Sequence, residues 1–479
     1  ISTSAIIGFG GISAQLGMGM MFLAMLTILV GIFIAFVFFG KPTRKLGHEL
    51  DAHTFPQLMN KRYDSPYLQK LMGSLIFISM PFYAASVMIG GTNMLSEYFG
   101  INANAAILIF VVVVAAYTLT GGLKSIMYTS AMQAGILFLA MIGLIFTAYT
   151  NLGGVTAAHE GLTALYQKPD VQEAMAKLTA GGFRGWTAMP AAGSPIWWSL
   201  VSSLILGVGI GVLAQPQLIV RFMTIKSGKE LNRAVLSGGI FILSMTGVIF
   251  MVGVLSNSLL YERFGQVAFS YVGGKVDKII PVFITNYMPS WYGALFLIAM
   301  VAAAMSTLSS QFHTMGAAAG TDIYQVITGR EDKALTVNRY STFLVIIISS
   351  LIALLFTHSE MGNAFISKGT ILFFEMTTVC FLPPYFAALY SKKVSRRAVE
   401  IQVTAGAVLW LMWSLLLGPN AKVLGVCHLI FGKSSLIEGS KLASVGATVA
   451  ILPVSILILA VAAMAENRQP AAGKVALES

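Results

Sequence analysis

The sequence contains few charged residues for its length. Asp, Glu, Lys and Arg make up 10% of its 479 residues, compared with roughly 25% in an average soluble globular protein. Hydrophobic residues make up 56%. This composition argues against a soluble enzyme and is typical of a polytopic membrane protein surrounded by lipid.

The sequence also lacks the residue patterns of catalytic and metal centres. Its two cysteines, Cys380 and Cys427, cannot form a disulfide framework and are expected to be reduced thiols. We find no zinc-ligand spacing, nucleophile elbow, phosphate loop or paired carboxylates, and therefore expect a protein that is not an enzyme. The chain starts at Ile1 inside an apolar segment without a basic leader, so we expect no signal peptide and some residues upstream.

The positive charges alternate between the two ends of the apolar segments. With about twelve spans, 20 Lys and Arg residues fall on one side and 9 on the other, which leaves Lys368 alone within a helix. Positive residues mark cytoplasmic loops, so the net charge of +11 indicates membrane orientation and not nucleic-acid binding. We expect a multi-pass protein of the inner (plasma) membrane with a cytoplasmic C-terminus. The expected spans are 1–16, 17–40, 68–98, 103–120, 122–149, 196–222, 231–258, 291–324, 336–357, 361–390, 397–418 and 441–465.

A cluster of hydroxyl groups interrupts the apolar segment 297–311. Ser306, Thr307, Ser309 and Ser310 lie within little more than one helical turn. Neutral oxygens of this kind suit a small hard cation, especially when backbone carbonyls lie nearby. The alternative is that the hydroxyls bond back to the preceding turn or serve as small packing residues.

Two segments five helices apart are rich in glycine. The first contains Gly8, Gly10 and Gly11, and the second, 196–222, contains three glycines at every second position. Paired interrupted segments of this kind point to a transporter built from inverted repeats, with its binding site at the breaks. Close packing of helices through small residues explains the same pattern equally well.

Several motifs together resemble the sodium:solute symporter family. Residues 209–223, with their glycines, Gln-Pro and Arg-Phe-Met, resemble its sixth core helix, and 302–308, Ala-Ala-Ala-Met-Ser-Thr-Leu, resemble its eighth. Residues 121–133 resemble its fifth. The start, 1–19, is most similar to the pantothenate branch, whereas 83–101 is more similar to the proline branch.

The resemblance implies an all-α, leucine-transporter-type fold with five helices plus five in inverted repeat. Residues 1–390 would form this core, truncated within its first helix, residues 391–465 two peripheral helices, and 466–479 a cytoplasmic tail. The family's sodium site falls on the carbonyls of Thr3 and Ala303 and the hydroxyls of Ser306 and Thr307. The implied function is sodium-coupled import of a small organic solute by alternating access.

The resemblance also implies a solute site. By family position the solute contacts Ser2 and Ser4 on the first helix, Tyr83 on the third, and Val208 and Val212 on the sixth. A break in the first helix would favour a solute with a carboxylate, such as an amino acid, pantothenate or a monocarboxylate.

Glu375 is an acidic residue in the middle of the tenth core helix. An acid at membrane depth is by default a functional candidate, and its position corresponds to a solute-contacting Gln of sugar-type members. Glu375 could bind solute, carry a proton or pair with Lys368. The alternative is a protonated Glu bonded to a neighbouring helix.

The stoichiometry expected is one Na⁺ per cycle, because some family members hold a second Na⁺ with an Asp where this chain has Ser130. One charge is worth about 2.3 kcal/mol per 100 mV and a tenfold gradient about 1.4 kcal/mol. Together they could accumulate a zwitterion several hundred-fold, but a monoanion only about tenfold. Two other functions stay open: a proton-coupled transporter that uses Glu375, and a transporter-like solute sensor.

Overall fold

The fold consists of long apolar helices joined by short polar segments. The computed structural model describes residues 2–120, 123–358 and 365–467, without the side chains of residues 117, 119, 120, 123–131, 358 and 467. Within these residues ten helices are long and apolar enough to cross a membrane, and no strand occurs. Ser130 therefore lies outside the described side chains.

We number the helical segments in chain order. Their bounds are Ser4–Glu49 (α1), Pro66–Phe99 (α2), Ala103–Thr120 (α3), Leu123–Asn151 (α4), Pro195–Thr224 (α5), Gly228–Phe264 (α6), Ser290–Thr328 (α7), Ala334–Thr357 (α8), Phe365–Tyr390 (α9), Arg396–Leu417 (α10) and Ala447–Glu466 (α11).

The first segment, α1, is interrupted at Gly17, where the sequence predicts that one span ends and the next begins. Gly17 ends the first helical piece with φ 82° and ψ −165°, a conformation that a side chain would disfavour. The Met18 amide then donates to the Trp186 carbonyl at 2.7 Å. Residues before Gly17 and after it thus form separate helices, in agreement with the expected spans 1–16 and 17–40.

The break in α5 occurs at a proline and not at the glycines. Gln215 is extended, with φ −67° and ψ 122°, directly before Pro216, because a residue before proline is disfavoured in the helical region. The glycines upstream serve close packing instead: a Cβ at Gly209 would lie 2.6 Å from the Leu26 side chain, and one at Gly211 would lie 2.6 Å from the Phe374 carbonyl oxygen. Of the two interpretations of this segment, the structure supports packing at the glycines and places the interruption four residues later.

A helical hairpin between α6 and α7 covers the first part of α1, before Gly17. It comprises Ala268–Tyr271, Val276–Lys278 and Ile279–Tyr287. A Cβ at Gly11 would lie 2.0 Å from the Val276 carbonyl oxygen, so the hairpin touches the backbone of α1 directly. We call this end of the molecule the hairpin face, and the end that carries residues 41–67 and Arg221 the basic face.

Candidate functional site

A central cavity lies between α1, α2, α5, α6, α7 and α9. Its volume is about 340 Å³ and it extends towards Arg221 at the basic face. Six of the ten predicted site residues line it. They are Ser2, Tyr83, Val208, Val212, Ser306 and Thr307.

The hydroxyl cluster of α7 contributes oxygens to this cavity. The Thr307 hydroxyl donates to the Ala303 carbonyl at 3.0 Å, and the Ser309 hydroxyl donates to the Ser306 carbonyl at 3.2 Å. Some hydroxyls therefore bond back to the preceding turn, as the packing interpretation requires. However, a hydroxyl that donates its hydrogen keeps oxygen lone pairs for another partner, so the lining hydroxyls of Ser306 and Thr307 can still hold a cation.

Two adjacent glycines of α2 bring the start of α1 next to the hydroxyl turn. A Cβ at Gly90 would lie 3.0 Å from the Thr3 Oγ1 atom, and a Cβ at Gly91 would lie 3.3 Å from the Ala304 side chain. The Thr3 hydroxyl is fixed by donation to the Val87 carbonyl at 2.7 Å. Thr3 and the turn that includes Ala304 therefore pack against the same short stretch of α2, which places the predicted sodium ligands in one region.

An aromatic cluster forms the wall near Tyr83. The Tyr83 ring stacks on Phe373 with centroids 5.6 Å apart and meets Phe374 edge to face at 5.5 Å. Its hydroxyl lies near the Ser2 side chain. Because both rings belong to α9, this helix sets the position of the predicted solute contact.

Two predicted solute contacts lie outside the cavity lining. Ser4 is fully buried, and its hydroxyl has no hydrogen-bond partner among the described residues. Glu375 is also fully buried, but its carboxylate accepts from the Asn420 side chain at 3.0 Å and from the Ala447 amide at 2.9 Å. These bonds tie Glu375 to the start of α11 and not to the solute cavity or to Lys368.

The cavity also contains polar residues that the sequence analysis did not select. Gln311 lines it and is fully buried, yet neither atom of its amide has a hydrogen-bond partner among the described residues. Arg221 supplies the one full charge among the described lining residues. Gln311 follows Thr307 by four residues, so helical spacing places both on one face; that spacing was the available signal.

Comparison with known proteins decides the family. The model of the sodium:solute symporter family matches residues 1–399. The chain belongs to the sodium:solute symporter family. The resemblance of the sequence motifs is thereby confirmed, and the protein is a transporter and not an enzyme.

Two curated relatives illustrate what this symporter is similar to. The sodium/pantothenate symporter of Haemophilus influenzae is 28% identical over 356 residues, which cover 74% of this chain and 67% of the relative. Sodium/proline symporter 2 of Staphylococcus saprophyticus is 26% identical over 404 residues, which cover 81% and 70%. Both branches that the sequence resembles therefore appear among its relatives.

A solved structure confirms the fold of this symporter. A Na⁺-coupled sialic acid symporter in a substrate-bound, outward-open state aligns with a TM-score of 0.68, covering 97% of this chain and 87% of that chain at 18% identity. The symporter thus has the leucine-transporter-type fold. Sodium is its coupling ion, as its membership of the sodium:solute symporter family shows. Alternating access carries sodium and a small organic solute across the membrane.

The surroundings of Glu375 lead to a first testable expectation. The variant Glu375→Gln should keep the KM and pH profile of sodium-dependent uptake, because the side chain does not line the cavity. It should lose about 1–3 kcal/mol of stability, because Gln has one acceptor oxygen where the carboxylate accepts from two donors, the buried Ala447 amide at the start of α11 and Asn420. Uptake kinetics in proteoliposomes and thermal unfolding of the purified variant test this; a shifted pH profile with unchanged stability would instead support a proton carrier.

Proposed function

We propose that this symporter imports a carboxylate-bearing organic solute together with one Na⁺ per cycle. In this proposal the sodium ligands are the carbonyls of Thr3 and Ala303 and the hydroxyls of Ser306 and Thr307. The solute contacts Ser2, Tyr83, Val208 and Val212. The observation that carries the proposal is the shared cavity, in which the sodium hydroxyls and the solute wall face the same space.

The charge of the cavity supports a solute with a negative group. Among the described lining residues there is no Asp or Glu, and Arg221 is positively charged. A bound Na⁺ adds a second positive charge beside the solute. Arg221 is itself exposed. Because like charges repel and opposite charges attract, this environment favours a carboxylate and disfavours a cationic solute.

The size and polarity of the cavity support a small molecule. A volume of about 340 Å³ is near the lower end of the range for ligand pockets. Val208 and Val212 give it an apolar wall beside the hydroxyls. The relatives are named for pantothenate and proline, each of which combines a carboxylate with an apolar part, so both are the first solutes to test.

The orientation in the membrane follows from the charges of the loops. Of the Lys and Arg residues, 20 fall in the segments assigned to the basic face and 9 in those on the other side, and positive segments that flank membrane spans remain in the cytoplasm. We therefore place the basic face and the C-terminus inside and the hairpin face outside. The central cavity, which extends to Arg221, then corresponds to the inward path of the solute.

Uptake into proteoliposomes tests this function. Purified protein is reconstituted with an inward sodium gradient, and uptake of labelled proline, pantothenate and lactate is compared with that of the corresponding neutral amides. We expect sodium-dependent accumulation of a carboxylate and none of its amide. Accumulation that follows a pH gradient and ignores sodium, or equal transport of acid and amide, would overturn the proposal.

Gln311 leads to a second expectation, which concerns specificity. A buried amide without a partner costs about 1–3 kcal/mol. Because the Gln311 amide has no partner among the described residues, we expect it to bond to the solute. The variant Gln311→Leu should raise KM for the transported solute by about tenfold, with thermal stability equal or improved. The matched control is Gln402→Leu, which removes an amide bonded to the Val379 carbonyl and the Ser455 hydroxyl and should lower stability instead. An unchanged KM for Gln311→Leu would exclude contact with the solute.

A further inference from the structure

A second cavity lies beneath the hairpin face. Its volume is about 440 Å³. Its lining includes Gln15 near the end of the first helix, Ser199 at the start of α5, Val276 of the hairpin and Lys368 of α9. It is a separate space from the central cavity, because the two share no lining residue among those described.

Lys368 is the charged residue among the described lining of this cavity. Its ammonium forms no ion pair within 4.0 Å with any described carboxylate. A partly buried cation in a membrane helix is costly unless it serves a partner. Lys368 thus supplies an anion-attracting group to a space large enough for a small molecule, and the Gln15 amide adds hydrogen-bond donors.

Asp277 of the hairpin is an acidic side chain whose negative charge acts on Lys368. It is 8% exposed, and its Oδ1 atom has no hydrogen-bond partner among the described residues. Burial raises the pKa of Asp277 to about 7, while the positive charge of Lys368 acts in the opposite direction. Asp277 and Lys368 therefore attract each other without forming an ion pair within 4.0 Å. The positive charge of Lys422 also acts on Lys368.

We infer that Lys368 and Gln15 form an outer site that takes the carboxylate of an incoming solute, with Asp277 as the internal competitor for the lysine. The inference rests on the proposed function for its orientation and its class of solute. The solute would bind at this outer site before it moves from the hairpin face to the central cavity. An incoming carboxylate provides Lys368 with the close anionic partner that it does not have among the described residues.

Thiol labelling of the purified protein tests the outer site without requiring transport. Ser199→Cys places a thiol in the cavity wall, in a background where the buried Cys380 and Cys427 are replaced by alanine. Rates of modification are measured with the anionic sulfonatoethyl and the cationic trimethylammonioethyl methanethiosulfonates. Adding Lys368→Gln should lower the anion-to-cation rate ratio by about tenfold, Lys368→Arg should preserve it, and Asp277→Asn should raise it.

Protection by a simple carboxylate completes the test. Sodium propionate should slow the reaction of Ser199→Cys with neutral methyl methanethiosulfonate, whereas propionamide should not, and Lys368→Gln should remove the protection. An unchanged rate ratio in Lys368→Gln, or equal protection by acid and amide, would overturn the outer site. Because the assay uses detergent-solubilised protein, its failure is distinguishable from a failure of sodium-driven uptake in proteoliposomes.

Discussion

Protein in which Ser306 and Thr307 are both alanine should lose sodium-driven accumulation of its solute. A hydrogen bond or a similar contact to a charged group contributes about 1.5–3 kcal/mol. Removing two oxygen ligands should therefore weaken the apparent affinity for sodium by about a hundredfold or more. The measurement is the sodium concentration for half-maximal uptake in proteoliposomes, together with sodium-dependent thermal stabilisation of the purified protein.

Ser309→Ala is the matched control for this variant. Ser309 belongs to the same turn, but its hydroxyl donates to the Ser306 carbonyl and it does not line the cavity. Sodium dependence should therefore change little. If the double alanine variant still concentrated its solute with undiminished sodium affinity, the sodium site would have to lie elsewhere.

Gly11→Ala should uncouple binding from transport. A Cβ at this position would lie 2.0 Å from the carbonyl oxygen and 2.7 Å from the carbonyl carbon of Val276, and backbone atoms cannot yield as a flexible side chain can. Overpacking of this kind costs about 1–3 kcal/mol, which shifts a two-state equilibrium about 5- to 150-fold. The hairpin should then fail to close on α1, and the rate of uptake should fall by about tenfold or more while sodium-dependent stabilisation persists.

Gly135→Ala provides the matched control for that experiment. Gly135 also lies in a membrane helix, but no described atom lies within 4 Å of a Cβ placed there, so uptake should stay near the wild-type rate. Labelling of Ser199→Cys should become faster in Gly11→Ala, because the outer cavity would be more often open. Normal uptake by Gly11→Ala would show that the hairpin need not approach α1 in the transport cycle.

The parts of the site that sequence could predict are those fixed by local chemistry. Ser306 and Thr307 stand out because hydroxyls in an apolar helix are informative by themselves, and the structure places both at the cavity. Ser2, Tyr83, Val208 and Val212 could be selected only through the family motifs, and all four line the same cavity. Their roles in binding stay predictions, whereas the family and the fold are confirmed.

Residues with distant partners were beyond the reach of sequence reasoning. Glu375 is an unusual acid at membrane depth, but its partners Asn420 and Ala447 lie 45 and 72 residues further along the chain. No periodicity within α9 reveals them. Similarly, Gln311 appears as one more polar residue after a serine-rich turn, and only the packed structure shows that its amide has no described partner.

In the glycine-rich segments, close packing and interruption of the helix occur at different residues. Both were compatible with either a break or close contact from sequence alone. In the structure Gly11 and Gly211 admit the backbones of Val276 and Phe374, while the helix is interrupted at Gln215 by the stereochemistry of the following proline. Glycine composition therefore indicated segments that pack closely but could not give the residue at which the helix stops.

The two hydrogen bonds that Glu375 accepts have a consequence for the transport cycle. One carboxylate fastens α9 both to the segment after α10 and to the first amide of α11. We therefore expect α10 and α11 to be displaced together with α9 whenever a change of access moves that helix in the membrane.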